Sequence, residues 1–215
     1  MPVASELELR DRETLVPSLH GNGDGAQQWR HGVEAVSAAV AGIASPIVLV
    51  AHSGAGPLLP SIADGVSPEV QALIFVDASL PPATGAASLA PPGFLDQLRA
   101  ISIDGVLPPW SDWFGEGKMR ELVPDRALRD ALEQEMPRLP LAYFEESVPL
   151  PERWTQHRCA FLLLTEAYGE SAADAMRRGW PVAEIRNVQH LAPATDPIAV
   201  AEALLELERA LAESQ

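Results

Sequence analysis

Residues 47–56 read IVLVAHSGAG, and the fold turns on how this stretch is read. A nearly continuous apolar run, IVLVA, ends in His52 and Ser53 and then in a cluster of Gly and Ala. Such a run marks a strand buried on both faces, as in a parallel sheet covered by helices. A serine at the turn from strand to helix is a nucleophile elbow: the turn strains the serine backbone and lifts its hydroxyl above the sheet edge. Small residues two before and two after avoid clashes, and these are Ala51 and Ala55, with Gly54 and Gly56 adding room. In that reading the backbone N–H of Gly54 faces the oxygen that becomes anionic during acyl transfer. The competing reading is a plain tight turn in which Ser53 caps the next helix.

Moving outward, residues 12–19 (RETLVPSL), 71–78 (QALIFVDA) and 159–165 (CAFLLLT) read as further strands, with a weaker fifth at 181–187 (PVAEIRN). Helical patterns lie between them at 29–43, 56–64 and 171–179. The last helix is the clearest: Asp196 is an N-cap, Pro197 takes the first helical position, and Val200, Leu204, Leu207 and Leu211 recur at helical spacing. Alternation of strand and helix implies a parallel α/β sheet.

Residues 80–157 break the alternation. They carry many Pro, helical patches such as GFLDQLRAI and RALRDALEQEM, and no strand pattern. A structureless loop of that length is out of place in a compact domain. The segment is therefore expected to be a helical insertion, with a core built from 1–79 and 158–215. Its aromatics, Trp110, Trp113, Phe114, Tyr143, Phe144 and Trp154, either line a pocket or form the insertion's own core; the second is favoured for most of them.

A serine needs a base to act as a nucleophile. Of the five histidines, His20 and His31 lie early, His157 lies at the end of the insertion, and His52, adjacent to Ser53 at a turn, is expected to point away from it. His190, in NVQHLAPATDP between the last strand and the last helix, sits in a loop on the same rim as the elbow. AHSGAG, ALIFVDASLPP and QHLAPATDPIAVAEALLEL together resemble the elbow, the strand leading to the lid, and the histidine loop with closing helix of the α/β-hydrolase fold. The similarity spans nearly the whole chain and is greatest to small bacterial serine-hydrolase-like members. It implies a mostly parallel sheet flanked by helices, a lid at 80–157, Ser53 as nucleophile, His190 as base and Gly54 as oxyanion donor. The acid is open. The usual Gly-x-x-Asp is absent from LLLTEAYGES, leaving Glu166 and Glu170, whereas Asp77 in FVDASLP matches the alternative place at the end of the strand before the lid. Asp77 ranks first and Glu166 second.

The same resemblance locates what is missing. His20-Gly21 in LVPSLHGNGDG has the look of an oxyanion loop, yet only 34 positions separate Leu19 from Ser53, with one helix between them. The spacing fits the strand after that loop, so the chain is expected to begin inside the first helix, either shortened or as a natural minimal form in which HGNGDG takes the vacant role.

Composition bounds the function. The net charge of −15, from 30 acidic and 15 basic residues, argues against nucleic acid and anionic membranes. No run of roughly 18 apolar residues exists to span a bilayer, and the N-terminus lacks a signal peptide's apolar centre, so a cytoplasmic location is expected. Cys159 is the single cysteine, which rules out an internal disulfide and a Cys-based zinc cluster. The expected activity is hydrolysis of an ester or thioester on a small-molecule substrate, with no cofactor or metal implied. The alternative is a non-hydrolytic member of the fold that binds or tailors a small molecule. An open sheet edge would invite a homodimer.

Overall fold

The computed structural model describes residues 2–19 and 27–213. The chain opens with helices α1 (Pro2–Glu8) and α2 (Trp29–Ala39), then β1 (Ile47–His52), a 3-10 turn (Ser53–Leu58), α3 (Leu59–Gly65) and β2 (Val70–Val76). A middle section holds β3 (Ala86–Ser88), α4 (Pro92–Ile101), α5 (Lys118–Leu122), α6 (Arg126–Glu135), α7 (Leu141–Glu145) and β4 (Ser147–Pro149). The chain then returns through β5 (Cys159–Leu163), α8 (Gly169–Arg177), β6 (Val182–Glu184), α9 (Ala192–Thr195) and α10 (Pro197–Glu213).

The main sheet has the order β1-β2-β5-β6 and every pairing in it is parallel. Its burial explains the apolar runs. On β2, Leu73 and Phe75 enter a core shared with Trp29 and Val36 of α2, Leu59 and Ile62 of α3, and Ala172 and Ala175 of α8. The alternate residues Ala72, Ile74 and Val76 face the other way, into a core closed by Val200, Leu204, Leu207 and Leu211 of α10. With both faces covered, no position on β2 from Ala72 onward can be polar without burying an unpaired group.

Three expectations need correcting. Residues 12–19 are not a strand: they run as irregular chain after α1, with Thr14 Oγ1 bonded to Glu8 and Arg12 paired with Glu208. Their β-like composition goes unused because, among the described residues, β1 pairs only with β2 and offers them no ladder. The middle section does contain strands: β3 and β4 pair antiparallel over three residues each, too short for any periodicity to reveal. The helix after the elbow starts later than expected, because residues 53–58 wind as a 3-10 turn around Pro57 before α3 begins.

The elbow is tight at one glycine and loose at the other. A Cβ on Gly56 would lie 2.8 Å from both Ala78 Cβ and the Ser79 carbonyl, so the turn can press against the end of β2 only without a side chain there. A Cβ on Gly54 would meet nothing within 4 Å. Gly56→Ala is therefore expected to lower stability by about 1–3 kcal/mol, while Gly54→Ala leaves the packing intact; urea denaturation of the two variants, read by circular dichroism, distinguishes them.

Candidate active site

Ladder register sets the frame. The final pair of the β1–β2 ladder is His52 with Val76, so Ser53 and Asp77 are the next residue on two adjacent parallel strands. Both leave their strands with positive φ, +57° at Ser53 and +42° at Asp77. A left-handed backbone costs a non-glycine residue on the order of 1–2 kcal/mol, and such strain gathers at functional sites. Here it turns both side chains onto the carboxyl rim of the sheet, where ligands bind in open α/β folds.

His190 arrives from the loop between β6 and α9. Its Nδ1 lies 2.7 Å from Asp77 Oδ2 and its Nε2 lies 2.9 Å from Ser53 Oγ. A carboxylate only accepts, so Nδ1 carries the proton and Nε2 is left to accept from the serine hydroxyl. Asp77 is fully buried and accepts four hydrogen bonds: the backbone N–H groups of Leu164 and Thr165 on Oδ1, and Thr165 Oγ1 and His190 Nδ1 on Oδ2. Burial alone would raise its pKa, but the bonds from His190, Thr165 and Leu164 outweigh it and hold the carboxyl below its ordinary value.

The structure thus brings Ser53, His190 and Asp77 together, and among the described residues neither Glu166 nor Glu170 bonds to His190. Glu166 belongs to a 3-10 turn (Glu166–Tyr168) and its carboxylate folds back over Gly169; Glu170 lies in the first turn of α8. The ring nitrogen an acid would orient, Nδ1, is taken by Asp77. Gly54 lies at the start of the 3-10 turn, where no preceding carbonyl of that turn is available to its N–H. The HGNGDG stretch, with His20, lies outside the described residues.

Two residues of the site escaped sequence reasoning, Tyr168 and His52. Tyr168 stacks on the His190 ring, centroids 5.4 Å apart and planes 12° from parallel. Burial raises its phenol pKa while a hydrogen bond with Ser53 pulls the other way. It sits two residues beyond Glu166, in LLLTEAYGES. Trp110 comes 6.2 Å from His190, with Phe114 packed edge-on against it at 5.3 Å. The middle section's aromatics therefore divide: Trp154 and Phe144 are core residues, whereas Trp110 borders the site and carries the half-exposed Phe114 against its edge. His52 reaches the histidine loop rather than Ser53's hydrogen bond. Its Nε2 donates to the His190 carbonyl at 2.9 Å and its ring lies 4.5 Å from the His190 ring.

Burial, reinforced by His190, pulls the His52 pKa down to about 3. The unfolded chain would take a proton at His52 near the usual 6.5, and the folded chain only near 3, so the unfolded state binds more protons between those values. His52 is expected to contribute stability that is fully present above pH 6.5 and is lost as pH falls toward 3. Thermal melts from pH 7 to 4 should show a steeper fall in Tm for the wild type than for His52→Gln, which has no proton to take up.

Known structures share this fold across nearly the whole chain. Among solved structures, it is similar to an extracellular alpha/beta-hydrolase from a Paenibacillus species, described as sharing structural and functional homology with tobacco salicylic acid binding protein 2. That match has 18% identity and a TM-score of 0.72, covering 96% of this chain and 91% of the other. Polyneuridine aldehyde esterase matches at 14% identity and a TM-score of 0.67, over 96% and 92%. The H243A variant of tomato methylketone synthase I, complexed with beta-ketoheptanoate, matches at 14% and 0.70, over 98% and 91%. No curated protein sequence matches the chain. The alpha/beta hydrolase family model matches residues 2–203, nearly the full length, and the chain belongs to that family.

Proposed function

We propose that the chain is a serine hydrolase of carboxylic esters or thioesters. The observation that carries this reading is the unbroken chain of short hydrogen bonds from Ser53 Oγ through His190 to buried Asp77. In this mechanism His190 Nε2 takes the hydroxyl proton as Ser53 Oγ attacks the substrate carbonyl. The new C–O bond pushes an electron pair onto the carbonyl oxygen, which the Gly54 N–H stabilises. Asp77 keeps the His190 tautomer and offsets the imidazolium charge. Collapse of the tetrahedral intermediate expels the alcohol or thiol, which takes the proton from His190, and leaves Ser53 acylated. Water, deprotonated by His190, then attacks the acyl group; the acid departs and the proton returns to Ser53. Trp110 and Phe114 give the substrate an apolar wall beside His190.

The second reading, a small-molecule binding or tailoring protein, turns on the oxyanion side of the site: Gly54 supplies one N–H, and the HGNGDG stretch that would supply another lies outside the described residues. A missing donor costs on the order of 100–1,000-fold in rate. The two readings part at turnover.

A fluorophosphonate probe is expected to label the wild type at Ser53, located by peptide mass spectrometry, and to leave Ser53→Ala unlabelled. Hydrolysis of p-nitrophenyl acetate should fall by about 10³–10⁴-fold in His190→Ala and Asp77→Asn. Equal rates in the wild type and Ser53→Ala, with no labelling, would overturn the hydrolase reading. Labelling without turnover of any activated ester would favour the second.

A further inference from the structure

We infer that His52 is a positioning residue: its hydrogen bond to the His190 backbone carbonyl and its ring contact fix the base above Ser53. The inference rests on the triad reading of Ser53, His190 and Asp77.

The argument starts from what holds each member. Ser53 and Asp77 follow the last pair of a parallel ladder, so the sheet itself fixes their separation. His190 has no ladder. It lies beyond the end of β6, in the loop that leads to α9, 137 residues from Ser53 along the chain. The bond from Nδ1 to Asp77 holds one point of its ring. That bond leaves the loop backbone free to shift, and a shift carries Nε2 away from the serine. A second anchor on the histidine's own backbone removes that freedom, and His52 provides it at 2.9 Å.

The anchor is well placed to transmit position. His52 is the residue before the nucleophile, so the same strand end that aims Ser53 also grips the loop carrying its base. The carbonyl can only accept, which puts the His52 proton on Nε2. Its ring then packs 4.5 Å from the imidazole on one side, with Tyr168 stacked at 5.4 Å. Burial keeps His52 neutral, so it adds no positive charge beside the imidazolium that forms during turnover. Displacing a reacting group by about 1 Å costs on the order of 100-fold in rate.

Two substitutions separate the bond from the bulk. His52→Phe keeps a ring and removes the donor; His52→Gln puts an amide N–H at a similar reach. Hydrolysis of p-nitrophenyl acetate by His52→Phe is expected to show kcat reduced by roughly 10–100-fold with KM nearly unchanged, and His52→Gln to recover most of the loss. The proton shared by His190 Nδ1 and Asp77 provides a second readout, as a far-downfield line in the proton NMR spectrum. That line should shift or broaden in His52→Phe and stay in place in His52→Gln. Wild-type kcat and an unmoved line in His52→Phe would overturn the inference. So would equal damage in His52→Gln with a native circular dichroism spectrum. If His52→Phe does not fold, His52→Asn takes its place, since its shorter amide does not reach the carbonyl, and the same outcomes apply. A wild type that fails to label or turn over would defeat the triad reading by itself. The NMR line, which needs only the His190–Asp77 bond, would still test what His52 does.

Discussion

A buried carboxylate is the constraint around which the rim of this molecule is arranged. Asp77 has no exposure to solvent, and a lone ionised carboxyl in that place would be prohibitively costly. Four hydrogen bonds make it tolerable, three from Leu164 and Thr165 and one from the histidine loop. The two backbone bonds from Leu164 and Thr165 join the end of β2 to the end of β5. The Thr165 hydroxyl locks the second oxygen, leaving one direction open, and His190 fills it. The carboxylate is thus a structural joint between strands before it is a partner for an imidazole. Removing any one donor leaves a buried charge underpaired, so the sheet end and the histidine loop depend on one another.

The legible parts of the fold were those where burial is uniform. β1, β2 and β5 stood out because both faces of the sheet are covered, which forces continuous apolar sequence. α10 stood out because only one stripe of it is buried. Residues 12–19 misled for the converse reason: Leu15 and Val16 have strand-forming character, yet both are about half exposed and no neighbouring edge recruits them. Composition reports what a segment tolerates; pairing is decided by what lies beside it. β3 and β4, at three residues each, carry too little pattern to register.

The site divides along a similar line. Ser53 and His190 could be singled out because each lies at a boundary between elements, where turn chemistry shows in the sequence. The choice of Asp77 over Glu166 depends on ladder register, which makes Asp77 the neighbour of Ser53 across 24 positions and has no local signal. His52, Tyr168 and Trp110 depend on where loops from three distant parts of the chain converge. His52 carries no signal of its contact with the histidine loop, because its partner lies 138 positions along the chain. Gly54 and Gly56 looked equivalent as spacers, and only packing distinguishes the one that is sterically required.

The positive φ angles at Ser53 and Asp77 bear on how such a chain evolves. At both places glycine would relax the backbone, but at Asp77 it would also leave the buried N–H groups of Leu164 and Thr165 without their acceptor. The two strained positions are therefore held by different means: the fold itself needs the aspartate, whereas the Ser53 hydroxyl joins no strands. A chain of this fold that gave up its nucleophile would have reason to keep the buried carboxylate.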